Sequence, residues 1–334
     1  MRRWLTLLGV WIAALGTQAA EPGTLEAQSR ALERAVSSVV GVQALALEDA
    51  RSNATLGRWR QGSGVVIAPD GLVLTIGYLI LEAEQVQLLL DDGRTLPARV
   101  AAYDLATGFG LLQPLAPLRV APAPLHGGAP VAADEPLMIV SGMPFGQVSA
   151  ARLVSRRPFS GYWEYRIEGA LFTAPPRTDH SGSGLFNARG ELLGIGALVV
   201  NNAAGAMLGP VPGNMFVPVD LLQPILAELL RSGTTAASRR AWLGINGTEL
   251  GGRVHVLRVT EDSPAEAAGV RAGDVVVSID GERVSTLDAL WSRLWSGGPP
   301  ARSVTLEIDR EGARHTLVAQ TVDRSAHLRR ARGI

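Results

Sequence analysis

The chain has no cysteine among its 334 residues. That excludes disulfides, thiol nucleophiles and thiolate metal sites. It also has no lysine, since all 31 basic residues are arginine, so a serine–lysine dyad is excluded. Five histidines, at 126, 180, 255, 315 and 327, lie too far apart in sequence to announce a metal cluster, and neither a metal nor a cofactor is expected. The formal net charge is zero, which gives no reason to expect a nucleic-acid partner. The run Arg329-Arg330-Ala331-Arg332 reads as a tail, within a basic stretch expected over residues 324–334. What remains is an apolar fraction of 47%, ample for a buried core, on a length that fits about two domains.

The one long apolar run stands at the start. Arg2 and Arg3 precede apolar residues from Trp4 to Leu15, followed by the small residues Thr17, Ala19 and Ala20. A spanning helix needs about 20 apolar residues. The layout is that of a secretory signal peptide over residues 1–20, cleaved near Ala19 or Ala20, and it implies export to a bacterial periplasm.

Beyond it, apolar positions at Leu32, Ala35, Val36, Val39 and Val40 predict a helix within Leu25–Val40. After Gln61 the pattern becomes strand-like. Val65–Ile67, Leu72–Leu81, Val86–Leu90 and Leu96–Val100 are separated by Pro69-Asp70-Gly71 and Asp91-Asp92-Gly93, and similar runs recur at Leu137–Ser141, Leu171–Thr173 and Leu192–Val200. Short strands with turn residues between them indicate an antiparallel barrel or sandwich. Tyr162, Trp163 and Tyr165 share one further stretch read as strand-like, serving either as a peptide-binding surface or as rim packing. A helix after Asp220, with Asp220 as N-cap, Pro224 in its first turn and Gly233 as its stop, closes this region. The small polar stretch Ser232–Arg239 reads as a linker.

Residues 263–281, SPAEAAGVRAGDVVVSIDG, place a proline at a helix start, then Gly269, a Gly273-Asp274 turn and a strand ending at Asp280-Gly281. This resembles a PDZ domain, a small β-barrel with two helices. Trp242, Leu243, Gly244 and Ile245 are similar to that family's carboxylate-binding loop. The resemblance implies that backbone amides around Gly244 cradle a chain-terminal carboxylate while the peptide adds a strand to the sheet edge. Leu287, Leu290 and Trp291, on a helix running to Trp295, would form the other wall of the groove.

Residues 178–187, TDHSGSGLFN, set Ser181 among glycines as a trypsin-type nucleophile is set. Residues 62–80, GSGVVIAPDGLVLTIGYLI, and 102–112, AYDLATGFGLL, are similar to segments that carry a catalytic histidine and aspartate in the HtrA family of periplasmic serine proteases. Nearly all of the mature chain resembles that family. The fold implied is mainly β: a trypsin-like double six-stranded antiparallel β-barrel over 21–231, a linker at 232–240 and a PDZ domain at 241–323. The resemblance also implies homotrimers, although the region before residue 60 carries no readable trimer signature.

The triad is degenerate. The histidine position holds Tyr78 and the aspartate position holds Gly108; only Ser181 is retained. Asp104, four residues before Gly108, matches a different position of the family. Asp179 stands where the family has a glycine whose amide helps bind the oxyanion, and its carboxylate is expected to repel developing negative charge. Loss of one oxyanion donor costs roughly 10²–10³ in rate. Loss of the histidine costs on the order of 10⁶. A phenol with a pKa of about 10 is a poor substitute base at neutral pH. His180 neighbours Ser181, but adjacent side chains in an extended segment face opposite sides. His126 sits in the loop PAPLHGGAP and reads as a solvated loop residue. The leading reading is therefore a catalytically impaired HtrA-like protein that binds protein C-termini or unfolded envelope proteins through its PDZ domain, as a quality-control or adaptor protein. Two alternatives stay open: a serine endopeptidase using Ser181 with a non-standard base, and a structural oligomeric scaffold.

Overall fold

A computed structural model describes residues 22–132, 134–205 and 209–329. The signal-peptide segment and the end of the basic tail lie outside the described residues. Helix α1 (Pro22–Ser37) leads into β1 (Val39–Ala46), and a short α2 (Asn53–Leu56) precedes β2 (Trp59–Val66). With β3 (Val73–Ile76), β4 (Ala83–Leu89), β5 (Thr95–Tyr103) and β6 (Phe109–Pro114), these strands close an antiparallel barrel in the order β1-β2-β3-β6-β5-β4. A second barrel, ordered β10-β11-β12-β9-β8-β7, is built from β7 (Leu137–Val140), β8 (Val148–Ser160), β9 (Arg166–Ala174), β10 (Gly184–Phe186), β11 (Leu192–Val200) and β12 (Gly213–Pro218). The fold is the mainly β, double six-stranded barrel that the family resemblance implied, and it resolves the barrel-or-sandwich alternative left open by the apolar runs and turns.

The turns hold for chemical reasons. Asp70 Oδ1 accepts from the Leu72 amide at 3.1 Å, and Asp92 Oδ1 accepts from the Arg94 amide at 3.0 Å. These carboxylates supply the partners that turn backbone lacks. Inward-facing Val65, Leu74, Leu88, Phe109, Leu111 and Leu112 are buried in the first barrel.

Several boundaries differ from the sequence expectation. Val39 and Val40 leave the helix for β1, where Val39 pairs with Val65. The Ser38 hydroxyl marks the break by donating to the Ala35 carbonyl at 2.7 Å. The run from Leu72 is a strand only to Ile76, after which Gly77–Leu79 form a 3₁₀ turn. Asp220 is not an N-cap. It pairs with Arg156 at 2.7 Å inside a 3₁₀ turn, and α3 (Leu226–Ser232) begins only after Pro224. Gly233 does stop that helix in the left-handed conformation. Tyr162, Trp163 and Tyr165 are not on a strand. They sit in the bend between β8 and β9, because the ladder ends at the pair Ser160–Arg166.

The segment after α3 is tied down rather than loose. Thr235 Oγ1 donates to Asp104 Oδ1 at 2.5 Å, the Ser238 hydroxyl donates to the same oxygen, and the Tyr103 amide donates to the Gly233 carbonyl. The PDZ unit follows with β13 (Ala241–Trp242), β14 (Ile245–Leu250), β15 (Arg253–Val259), α4 (Pro264–Ala267), β16 (Val275–Ile279), β17 (Glu282–Arg283), α5 (Leu287–Ser296), β18 (Ser303–Arg310), β19 (Ala313–Gln320), β20 (Val322–Asp323) and α6 (Arg324–His327). Its main sheet runs β14-β15-β16-β18-β19, which leaves β14 as an edge. Ser263 caps α4 by accepting from the Glu266 amide at 3.2 Å, with Pro264 at the first helical position.

Candidate functional site

The two barrels bring together three segments distant in sequence: the 3₁₀ turn after β3, the β5–β6 turn and the loop before β10. The Ser63 amide donates to the Ser181 carbonyl at 2.8 Å and the Gly77 amide to the Gly108 carbonyl at 2.7 Å. Positions 78, 108 and 181 therefore lie in segments that meet at one place.

Tyr78 Oη lies 2.7 Å from Ser181 Oγ and 3.0 Å from the Ala197 carbonyl oxygen. The phenol has one hydrogen and the carbonyl can only accept. When Tyr78 donates to Ala197, the Ser181 hydroxyl must point its own hydrogen at the phenol oxygen. Neutral phenol is a feeble proton acceptor, and burial pushes the Tyr78 pKa up to about 12 against the opposing pull of the Ser181 hydrogen bond. Among the described residues, no histidine and no carboxylate hydrogen-bonds the Ser181 hydroxyl.

The Gly108 position is also filled. Gly108 has φ of +79°, and a Cβ there would meet Tyr165 Oη at 2.9 Å. Tyr165 descends from the bend between β8 and β9, is buried, and donates to the Thr107 carbonyl at 2.7 Å. Its ring stacks on Trp163 with centroids 5.2 Å apart. A phenol from the second barrel thus takes the room that a side chain at position 108 would need. Asp104, four residues earlier, accepts from the Thr107 amide and hydroxyl and anchors Thr235 and Ser238, which is a structural use.

Asp179 does not stand free to repel an oxyanion. Arg177 grips both of its oxygens, and the Ser141 hydroxyl donates to Oδ2 at 2.6 Å. Burial would raise this carboxyl, but the Arg177 and Ser141 bonds prevail and hold it below the usual range. His180 makes no hydrogen bond to Ser181: its Nδ1 is 3.2 Å from the Arg177 carbonyl oxygen, and burial lowers its pKa. His126 is not solvated. It is buried between Glu191, 3.1 Å from Nδ1, and the Ala129 carbonyl, 2.8 Å from Nε2.

At the PDZ loop the backbone amides of Leu243, Gly244 and Ile245 converge on one acceptor, Glu164 Oε1, at 3.0, 2.8 and 3.4 Å. Gly244 has φ of +86°, which turns these amides toward a common point, and a Cβ there would strike Ser263 at 2.3 Å. Trp242 leaves the groove to pack on His327, with ring centroids 4.2 Å apart. Leu287, Leu290 and Trp291 are buried along α5, and Trp291 Nε1 donates to the Gly161 carbonyl at 3.0 Å. Sequence reasoning missed Glu164, Arg177 and Ala197; its one signal for Glu164 was a carboxylate flanked by aromatic residues.

A cavity of about 360 Å³ lies between the barrels and the PDZ unit, lined among others by Tyr78, Tyr103, Trp163, Glu164, Arg324 and His327. Among the described residues no group of three or more His, Asp or Glu side chains is arranged to hold a metal ion, and no helix is long and apolar enough to cross a membrane.

Residues 62–195 match the trypsin-like peptidase domain and residues 241–321 match the PDZ domain. A probable periplasmic serine endoprotease, DegP-like, of Pseudomonas fulva is 28% identical over 77% of this chain and 54% of its own length. The periplasmic pH-dependent serine endoprotease DegQ of Escherichia coli is 28% identical over 75% of this chain and 57% of its own. The chain therefore spans about half the length of these curated relatives. Among solved structures, the serine endoprotease from Yersinia pestis superposes with a TM-score of 0.53 at 21% identity, covering 89% of this chain and 97% of that one. The HtrA-type protease AlgW with a tripeptide gives 0.52 at 20% identity, covering 88% and 96%. At these identities the superpositions speak for the fold alone.

Proposed function

We propose that the chain is an HtrA-type member, a reading supported by its matches to a trypsin-like peptidase domain and a PDZ domain and by its serine endoprotease relatives, and that it acts as a non-catalytic, protein-binding protein in the periplasm. The barrels serve as a scaffold, and the PDZ groove takes polypeptide C-termini such as those of unfolded envelope proteins. The observation that carries this reading is the Tyr78–Ser181 pair at 2.7 Å. A serine becomes a nucleophile when a neighbour removes its proton and a third group supports that neighbour. Here the neighbour is a phenol whose pKa burial pushes up to about 12, and the third position is glycine.

The periplasmic names of the relatives and the apolar N-terminal run support the location. The tripeptide bound to the HtrA-type protease AlgW supports a peptide as ligand. The test is fluorophosphonate labelling of the purified chain at neutral pH, with Ser181→Ala as control. No labelling above the control, with and without C-terminal peptides, is the expected result. Labelling of the wild type alone would overturn the non-catalytic reading.

A further inference from the structure

Glu164 is a puzzle for a surface hairpin. The residue is only 7% exposed, and a buried carboxylate is costly unless hydrogen bonds replace its water. The replacements come from the PDZ loop, whose three amides all address Oε1. The bend carrying Glu164 also lies along the open edge of β14, where the Gly247 amide donates to the Tyr162 carbonyl at 2.6 Å. Trp291 of the opposite wall bonds the Gly161 carbonyl. At the stem, Asp288 of α5 accepts from Ser160 Oγ at 2.9 Å and Arg166 Nε at 2.7 Å. A carboxylate on the amide loop, a backbone carbonyl on the edge strand and contacts to the helical wall are what a bound chain end would provide.

We propose that residues 161–165 are a built-in ligand of the PDZ groove, with the Glu164 side chain standing in for a terminal carboxylate. This rests on the reading of the groove as a peptide site and deepens it. An external peptide with a free carboxylate binds only by displacing Glu164. The next residue, Tyr165, fills the slot under Gly108, so one short bend closes both the groove and the remnant of the catalytic site. Displacing Glu164 loosens both closures, because two consecutive residues share one backbone. The displacing peptide is apolar at its end, given the wall of Leu287, Leu290 and Trp291.

The experiment uses the full chain and a fluorescein-labelled decapeptide with apolar C-terminal residues, as free acid and as C-terminal amide. Fluorescence anisotropy reads binding for wild type, Glu164→Ala and the near-isosteric Glu164→Gln, which guards against a folding defect. Hydrogen exchange at residues 161–166 and 107–109 reads release of the bend. Charge-assisted hydrogen bonds of this kind are worth about tenfold or more in affinity. The expected result is at least a tenfold tighter affinity of Glu164→Ala for the free acid, a smaller gain for Glu164→Gln, no binding of the amide, and faster exchange in both segments. Equal affinity of wild type and Glu164→Ala would overturn the built-in ligand and leave the peptide-binding reading standing. If no variant binds either peptide, the peptide-binding reading falls. Exchange then decides the proposal by itself: faster exchange upholds the docked bend, and unchanged exchange overturns it.

Discussion

Tyr165 Oη occupies the position that a Cβ on residue 108 would approach to 2.9 Å, so the glycine and the tyrosine are two halves of one packing arrangement. Gly108→Ala forces the phenol out and places a side chain at φ of +79°. Left-handed backbone costs a non-glycine residue roughly 1–2 kcal/mol, and overpacking typically adds about 1–3 kcal/mol. The expected outcome is a lower thermal midpoint, with faster hydrogen exchange in 161–166. Pairing the change with Tyr165→Ala should recover part of the loss, which differential scanning calorimetry checks.

Tyr78 stays neutral well beyond the range of an exposed tyrosine. Its pKa is raised in the folded protein to about 12, so the favourable contribution is fully present below pH of about 10 and fades as pH rises through 12. Absorbance at 295 nm, as the difference between wild type and Tyr78→Phe, should therefore show no phenolate from this residue at pH ~10. Tyr78→Phe also leaves the buried Ala197 carbonyl without its side-chain donor, a loss of about 1–3 kcal/mol in chemical denaturation.

Arg177 and Asp179 depend on one another. Arg177→Met leaves a carboxylate, only 11% exposed, with the Ser141 hydroxyl as its remaining side-chain donor. Breaking one partner from a buried ion pair costs about 3–5 kcal/mol. Urea denaturation of Arg177→Met should show that loss, and Arg177→Met with Asp179→Gly should show much less. Removing Asp179 alone should not restore labelling of Ser181, because the phenol remains its neighbour.

His327 makes the docking of α6 sensitive to acid. Burial and the nearby Arg51 hold its pKa down at about 4, against the attraction of Glu82 and Asp262, with Arg324 adding repulsion. A histidine with a depressed pKa favours the folded arrangement above its ordinary value of about 6.5. That contribution is lost as pH falls from there through about 4. Protection factors at residues 322–329, corrected for the intrinsic pH dependence of amide exchange, should fall over that window in wild type, and His327→Phe should flatten the dependence.

Much of the architecture was legible because it is locally encoded. Apolar runs broken by Asp-Gly turns announced an antiparallel barrel or sandwich, and the family resemblance carried by 62–80, 102–112, 178–187 and 263–281 implied the two barrels and the PDZ unit. The boundaries were less legible where β-branched residues follow a helix pattern, as Val39 and Val40 do: their pairing partners lie on β2 and are invisible to periodicity. Asp220 illustrates the same point. Its spacing to Gln223 looks like a cap, but Arg156 on β8 claims the carboxylate.

By itself the sequence determined which chemical groups are available: a serine in a glycine setting, a tyrosine and a glycine where the family resemblance implies a histidine and an aspartate, and no lysine or cysteine to replace them. Only the tertiary structure decided what those groups touch. That Tyr78 bonds Ser181, that Tyr165 fills the space beside Gly108 and that Glu164 enters the PDZ loop are contacts between segments separated by tens of residues in the chain. Residue identity limits the possible bonds, but long-range packing selects among them, because a buried polar group takes whichever partner the fold brings within reach.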